Sequence, residues 1–239
     1  MEPDSPKIPY TGPERRKGPR LSQTEWRRQE LASSYTHGVA AVLSLGALML
    51  LMNAAVHRHD LGVLLSFLIF GCSMVILYSA STILHALPIG KTRRVFEDFD
   101  LAGIFLMIAG TYTPFTIVTL HGSLGWELFG AIWTLAVVGA YLMHKHKRLF
   151  EKVAAYVYLL MGWLIVIAIR PLAHNLPFPG LVLLIAGGLA YSFGVIFFLW
   201  ERYLYHHVIW HIFVMVGSIC HFLAILLYVY PDVKQGILP

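Results

Sequence analysis

Three histidines and one aspartate of this 239-residue chain have the types and the spacing of a metal centre. His207 and His211 are four residues apart, so in a helix they share one face and can point at one ion. His85 lies near the end of an earlier apolar segment, and Asp100 lies near the start of the next one. Three imidazoles with an open fourth position are the ligand set of catalytic zinc. The pattern therefore predicts a Zn²⁺ site with a carboxylate beside it that can accept and donate protons.

Ser81 precedes His85 by four residues, so its hydroxyl is expected on the same helix face and close to the same site. It is a candidate catalytic residue with Asp100, and a hydrogen bond to a developing oxyanion is its expected role. The simpler alternative is that these polar residues are unrelated and that each is hydrogen-bonded separately inside a helix bundle.

Helices that cross a membrane must position these residues. Segments of about 20 or more predominantly apolar residues, long enough to span a bilayer, follow one another along the chain. In lipid the backbone has to satisfy its own hydrogen bonds, and the runs are too long for barrel strands. The sequence therefore predicts an all-α membrane protein with seven transmembrane helices, at residues 32–54, 61–87, 97–119, 126–144, 152–170, 179–200 and 205–230.

The composition agrees with this fold class, since 57% of the residues are apolar and only 13% are charged. Such a composition excludes a soluble enzyme, a nucleic-acid-binding protein and a disordered protein. We expect three regions: a disordered basic cytoplasmic tail over 1–29, a transmembrane domain over 30–231, and a short extracytoplasmic tail over 232–239.

The distribution of Lys and Arg predicts the orientation. Of the 18 basic residues, 15 lie in the N-terminal tail and in the second, fourth and sixth connections, which share one side of the membrane. Because cytoplasmic segments are enriched in Lys and Arg, the N-terminus is expected in the cytoplasm and the C-terminus outside, in the plasma (inner) membrane. Hydropathy and charge counting together place the histidines and Asp100 at the cytoplasmic end.

Four sequence motifs resemble the hemolysin III family, the bacterial branch of the progestin and adipoQ receptor (PAQR) family. They are Ser81-Thr82-Ile83-Leu84-His85, Asp100-Leu101-Ala102-Gly103-Ile104, His207-Val208-Ile209-Trp210-His211, and the segment that opens the first span with Glu30, Ser34 and Thr36-His37-Gly38. The resemblance covers about residues 28–230.

The resemblance implies seven transmembrane helices, a cytoplasmic N-terminus and one zinc ion near the cytoplasmic face. His85, His207 and His211 would be the zinc ligands, Asp100 would hold the water on the zinc, and Ser81 would lie beside it. At the first-span motif the family often has Asn where this chain has Ser33-Ser34, and the role of that position stays open.

Three other polar residues have two interpretations each. Glu30 and His37, at the mouth of the first span, either hydrogen-bond a zinc ligand or extend to the aqueous interface. His221 returns to the helix face of His207 about 21 Å deeper, too far for a fourth ligand. A hydrogen bond in the bundle core is the expected role of His221.

Three functions fit these expectations. The first is a zinc-dependent hydrolase of a lipid amide or ester; the eukaryotic members and the wider superfamily are associated with ceramide hydrolysis. The second is a non-enzymatic sensor or regulator of membrane lipid, in which zinc has a structural role. The third is a haemolysin that causes cytolysis, as the family name implies. Membrane lipids are the expected partners in the first two.

Overall fold

The structure is a computed structural model, and it describes residues 21–200 and 202–229. This part of the chain is helical and contains no strand. Short irregular helices link or extend the α-helices: π-helical turns at Phe115–Leu120 and Ile225–Val229, and a 3₁₀ turn at Leu164–Ala168. The α-helices are α1 Gln23–Val56, α2 Leu61–Ala86, α3 Lys91–Pro114, α4 Gly122–Lys145, α5 Lys147–Trp163, α6 Ile169–Asn175, α7 Phe178–Leu199 and α8 His206–Ala224.

Seven helical segments within the described residues are long and apolar enough to cross a membrane. Six of them correspond to single α-helices, with the π-helical turns extending α3 and α8. The remaining span, Val153–Asn175, combines most of α5, the 3₁₀ turn and α6. The predicted fold class is confirmed: the chain is an all-α, multi-pass integral membrane protein with seven spans.

The first helix begins earlier than the apolar segment does. The Ser22 side chain accepts a hydrogen bond from the backbone N–H of Glu25, and the Glu25 carboxylate accepts one from the Ser22 backbone. This capping box satisfies two backbone donors at the helix start. Residues 23–29, which were expected in the disordered tail, are therefore helical. The rest of that tail, 1–20, and the predicted C-terminal tail, 232–239, lie outside the described residues.

The fifth span ends later than predicted, because Pro171 does not terminate it. Pro171 is the third residue of α6, where a backbone N–H has no intrahelical acceptor in any case. A proline in this first turn costs no hydrogen bond, so the chain stays helical to Asn175.

Helix α1 has its polar residues inside and its apolar residues outside. Its buried face includes Glu30, Ser33, His37 and Ser44. Large apolar side chains on other faces are exposed, among them Val42, Leu43, Met49 and Leu50. Apolar groups can face outward without penalty when the surrounding medium is lipid, whereas polar groups need partners inside the bundle.

The packing brings four helices together at one end of the bundle. Helix α1 packs on α2, α2 packs on α3, and α8 packs on both α7 and α1. The C-terminus of α2 and the N-termini of α1, α3 and α8 lie at the same end. These termini carry the polar residues of the predicted site and its mouth: Glu30, His85, Asp100, His207 and His211.

Candidate metal centre

Three buried or half-buried imidazoles converge where α2 meets α8. One ring nitrogen each from His85, His207 and His211 lies within 4.8 Å of the other two. The ring centroids are 4.5 to 5.1 Å apart, so the rings form a nearly regular triangle. Within residues 21–200 and 202–229, this is the group of His, Cys, Asp or Glu side chains whose geometry can hold a metal ion. The predicted ligands are thus brought together.

The donor set and its spacing fit Zn²⁺. His85 Nε2 and His207 Nε2 are 3.3 Å apart. Two nitrogens bound tetrahedrally to zinc are separated by about 3.3 to 3.4 Å, as follows from Zn–N bonds of about 2.05 Å. Imidazole nitrogens are also donors that zinc prefers. Asp100 is not in this group of three, which by itself supplies three of the four donors of a tetrahedral site.

Asp100 and Ser81 lie beside this triangle. Asp100, the tenth residue of α3, interacts electrostatically with His85 and with the Ser81 side chain. The Ser81 side chain is fully buried, and its hydroxyl has no hydrogen bond of standard geometry to any described residue. Both predicted catalytic residues therefore adjoin the three ligands.

Glu30 holds one of the three imidazoles from the side opposite the cluster. Its Oε2 is 2.9 Å from His85 Nδ1 and 2.7 Å from an Nη atom of Arg93. Arg93 also donates to the backbone oxygens of Leu84 and Leu87, at the end of α2. Glu30 thus contacts a ligand, and it is buried rather than extended to the interface.

His211 is held by two consecutive residues of α1. Its Nδ1 is 3.4 Å from the Thr36 hydroxyl oxygen. The His37 ring stacks on the His211 ring, with centroids 3.4 Å apart and planes 8° from parallel. Neither ring nitrogen of His37 has a hydrogen-bond partner among the described residues, so its observed contact with the site is through the ring face.

A charged cluster fixes the start of α3, and with it Asp100. Lys147 donates to Asp98 at 2.8 Å and to Glu97 at 3.1 Å, while His144 contacts Asp98 at 3.2 Å. Burial alone lowers the pKa of the Lys147 ammonium, but the hydrogen bonds to Asp98 and Glu97 outweigh it, and the pKa is raised. Lys147 therefore stays charged at neutral pH and ties α5 to α3.

The sequence analysis did not identify Arg93 or Thr36 as site residues. Arg93 was counted only as a loop charge that sets the orientation, and Thr36 only as part of a motif. No spacing rule identifies Arg93, because its partner Glu30 is 63 positions away. The sequence gives a weak indication for Thr36, since this residue directly precedes His37, which is buried in a helix whose exposed side chains are mostly apolar.

Comparison with known proteins shows that the chain belongs to the Haemolysin-III related family. The model of this family matches residues 25–222, which contain the three grouped histidines, Asp100, Ser81 and Glu30.

Among curated proteins, "Hemolysin-3" of Bacillus cereus is 44% identical over 208 residues, which cover 87% of this chain and 95% of that protein. "Hemolysin-3 homolog" of Bacillus subtilis is 41% identical over 84% of this chain and 94% of its own length. The human "Monocyte to macrophage differentiation factor" is 27% identical over 84% of this chain and 85% of its length. No solved structure matches the chain with significance.

Proposed function

We propose that this chain binds one Zn²⁺ through His85, His207 and His211 and hydrolyses an amide or ester bond of a membrane lipid. A bound Zn²⁺ supplies Lewis acidity, which polarises a carbonyl oxygen and lowers the pKa of water towards neutrality. The remaining chemistry falls to side chains beside the triangle.

One observation carries the proposal: three imidazole nitrogens converge within 4.8 Å, and the Asp100 carboxyl group and the buried Ser81 hydroxyl adjoin them. A structural zinc site usually has four protein ligands, whereas a catalytic site keeps one position open. Three grouped ligands, with Asp100 beside rather than among them, favour the catalytic type.

Asp100 is the proton carrier in this proposal. Its carboxylate accepts a proton from the attacking water and passes it to the leaving amine or alcohol. Ser81 donates a hydrogen bond to the oxygen on which negative charge develops, because its buried hydroxyl lies beside Asp100 and the three histidines.

A lipid is the substrate class that the surroundings favour. His207 is half-buried, and large apolar side chains of neighbouring helices, such as Ile83 and Ile212, are exposed towards the surrounding medium. In a bilayer that medium is lipid, so a lipid headgroup linkage can approach the site from the side. The excess of Lys and Arg at this end of the bundle supports an orientation with the site in the cytoplasmic leaflet of the plasma membrane.

The test is turnover by the detergent-purified full chain on a panel of lipid amides and esters, including ceramides, with released fatty acid as the readout. Asp100→Asn is expected to keep one zinc per chain and to lose turnover by about 10²- to 10⁴-fold, the usual contribution of general acid–base catalysis. Asp98→Asn is the matched control, because that carboxylate pairs with Lys147 and His144 instead.

The same pair of variants separates the hydrolase from a lipid sensor with structural zinc. A structural site in which Asp100 is the fourth ligand requires Asp100→Asn to weaken zinc binding itself. Zinc-loaded wild-type protein that hydrolyses no lipid of the panel, together with weakened zinc binding by Asp100→Asn, would replace the hydrolase by the sensor.

Cytolysis is a second candidate function, and the names of the Bacillus relatives are the observation that favours it. If the chain forms pores, the purified protein reconstituted into vesicles of pure lipid conducts ions. His85→Ala is then expected to leave that conductance unchanged. Lysis that requires both the metal and Asp100 would instead follow from altered lipid.

A further inference from the structure

Helix α1 contributes none of the three ligands, yet it contacts two of them from behind. Glu30 reaches the Nδ1 atom of His85, and Thr36 reaches the Nδ1 atom of His211. These Nδ1 contacts are on the far side of each ring from Nε2, the atom that His85 directs at His207. The helix is therefore placed to decide which ring nitrogen carries the proton.

For His85 the tautomer follows from its contact with Glu30, whose Oε2 atom also accepts a hydrogen bond from Arg93. A carboxylate without a proton can only accept hydrogen bonds, so His85 Nδ1 must be the donor across the 2.9 Å contact. In a neutral imidazole the Nε2 atom then has a free lone pair. That lone pair faces the triangle, where a metal needs it.

Arg93 keeps Glu30 in this role. It donates to the same Oε2 atom that His85 contacts, at 2.7 Å, and two further bonds tie its guanidinium to backbone oxygens at the end of α2. The guanidinium also lies 5.5 Å from the ring centre of Trp26, which stacks against it from α1. A carboxylate in this setting is held in one orientation, because its partner is fixed at several points.

The same argument applies to His211 through Thr36. The Thr36 hydroxyl lies 3.0 Å from the Ala32 oxygen and 2.9 Å from the Ser33 oxygen, so its one proton is engaged with the helix backbone. Its oxygen lone pair is then the acceptor for His211 Nδ1–H, and Nε2 of His211 is left to the metal. The stacked ring of His37 restricts rotation of the His211 ring.

We infer that α1 is the positioning element of the metal centre: Glu30, held by Arg93, and Thr36, with His37, fix the tautomer and the orientation of His85 and His211. These are positioning residues, and they act through the ligands rather than on the substrate. The inference rests on the proposed zinc site. Loss of such partners behind a ligating histidine typically weakens metal binding by about 10- to 100-fold.

The experiment measures the Zn²⁺ dissociation constant of the full chain in detergent by competition with a chromophoric chelator. Glu30→Ala is expected to weaken binding by about 10- to 100-fold. Glu30→Gln is expected to be intermediate, because its amide oxygen still accepts from His85 while its amide nitrogen opposes Arg93. Thr36→Val removes one neutral acceptor, and the expected loss is smaller than that of Glu30→Ala.

Two variants serve as matched controls. Glu25→Gln removes an exposed carboxylate from the same helix, and Thr111→Val removes a buried hydroxyl that bonds only to its own helix at Met107. Both are expected to bind Zn²⁺ within twofold of the wild type. The absorption spectrum of bound Co²⁺ adds a second readout, since it reports ligand geometry and is expected to change in Glu30→Gln but not in Glu25→Gln.

The outcomes separate this inference from the proposed function. Wild-type protein that binds no Zn²⁺ removes the metal site and the inference with it. Tight binding by the wild type and equally tight binding by folded Glu30→Gln and Thr36→Val overturn the inference alone. The inference is supported if zinc binding is weaker in Glu30→Gln than in the wild type, weaker still in Glu30→Ala, and unchanged in the controls. This holds even if Glu30→Ala also loses thermal stability.

Discussion

Helix α8 carries buried histidines at two depths, and their ring nitrogens have different partners. Near its start, His207 Nε2 faces His85 Nε2 at 3.3 Å, and His211 completes the triangle. Deeper in the bundle, His221 Nε2 lies 3.1 Å from the backbone oxygen of Leu184 on α7, and its ring packs edge-on against Tyr191. His221 Nε2 is therefore a donor to the backbone, whereas the Nε2 atoms of His85 and His207 face each other.

The comparison gives a criterion for histidines inside membrane proteins. A carbonyl oxygen satisfies an imidazole N–H fully, so a histidine of the His221 kind needs no ion. Two Nε2 atoms that face each other at 3.3 Å share at most one proton, and a third imidazole beside them adds another lone pair. Such a group has the donors to hold a cation at its centre, and this separates it from His221.

The sharpest way to break this comparison is to remove one histidine from each region. His211→Ala is expected to lose bound zinc completely, from one per chain to none, because two imidazoles remain. His221→Ala is expected to keep one zinc per chain. Mass spectrometry of metal in the purified proteins measures both, and equal metal content in the two variants would contradict the distinction.

Much of this contrast could be predicted from the sequence. Hydropathy identified all seven spans, and the four-residue spacing of His207 and His211 indicated a shared face. The distance between His207 and His221 along one helix sufficed to predict a core role for His221. These features depend on spacing within single helices, which the sequence carries directly.

The features that were not predicted from the sequence depend on contacts between helices, or on local rules that a hydropathy profile does not include. The Glu30–Arg93 pair joins α1 to α3, and neither residue specifies the other in the sequence. The capping-box pattern of Ser22 followed by Glu25 indicates the early start of α1. A search for apolar segments misses it, because the first turns of the helix are charged. The fifth span was predicted to end at residue 170, directly before Pro171, but the effect of a proline depends on its position in the helix.

A smaller effect is expected from metal on the stability of the two variants. Ligand that binds only the folded state stabilises it by about 2.7 kcal/mol when present at 100 times its dissociation constant. Added Zn²⁺ should therefore raise the thermal midpoint of wild-type protein stripped with a chelator. His221→Ala should respond equally, although its starting midpoint is lower because the Leu184 oxygen loses its donor.

His211→Ala should show no such rise, since its site is incomplete. The measurement is a thermal unfolding series in detergent with increasing Zn²⁺ for each protein. A zinc response in His211→Ala that matches the wild type would place the stabilising metal elsewhere and would remove the difference between the two regions.

The smallest expected effect concerns the polar chain between the regions. Tyr78 on α2 stacks edge-on against His37 and donates to Ser218 at 2.6 Å, and Tyr191 bonds to the same serine at 2.9 Å. Tyr78→Phe keeps the ring and removes one hydrogen bond. Bonds of this kind between membrane helices contribute about 0.6 kcal/mol on average and at most about 1.7 kcal/mol.

Tyr78→Phe should therefore reduce unfolding stability by about 0.6 kcal/mol and leave the zinc dissociation constant unchanged, as judged by denaturation in mixed detergent and by chelator competition. Tyr191→Phe tests the other bond to Ser218 and should behave alike, because Ser218 retains one tyrosine partner in either case. A tenfold change in zinc affinity from Tyr78→Phe would mean that the polar chain positions the metal site through His37. Tyr78 would then belong to the region of the histidine triangle rather than to the core region around His221.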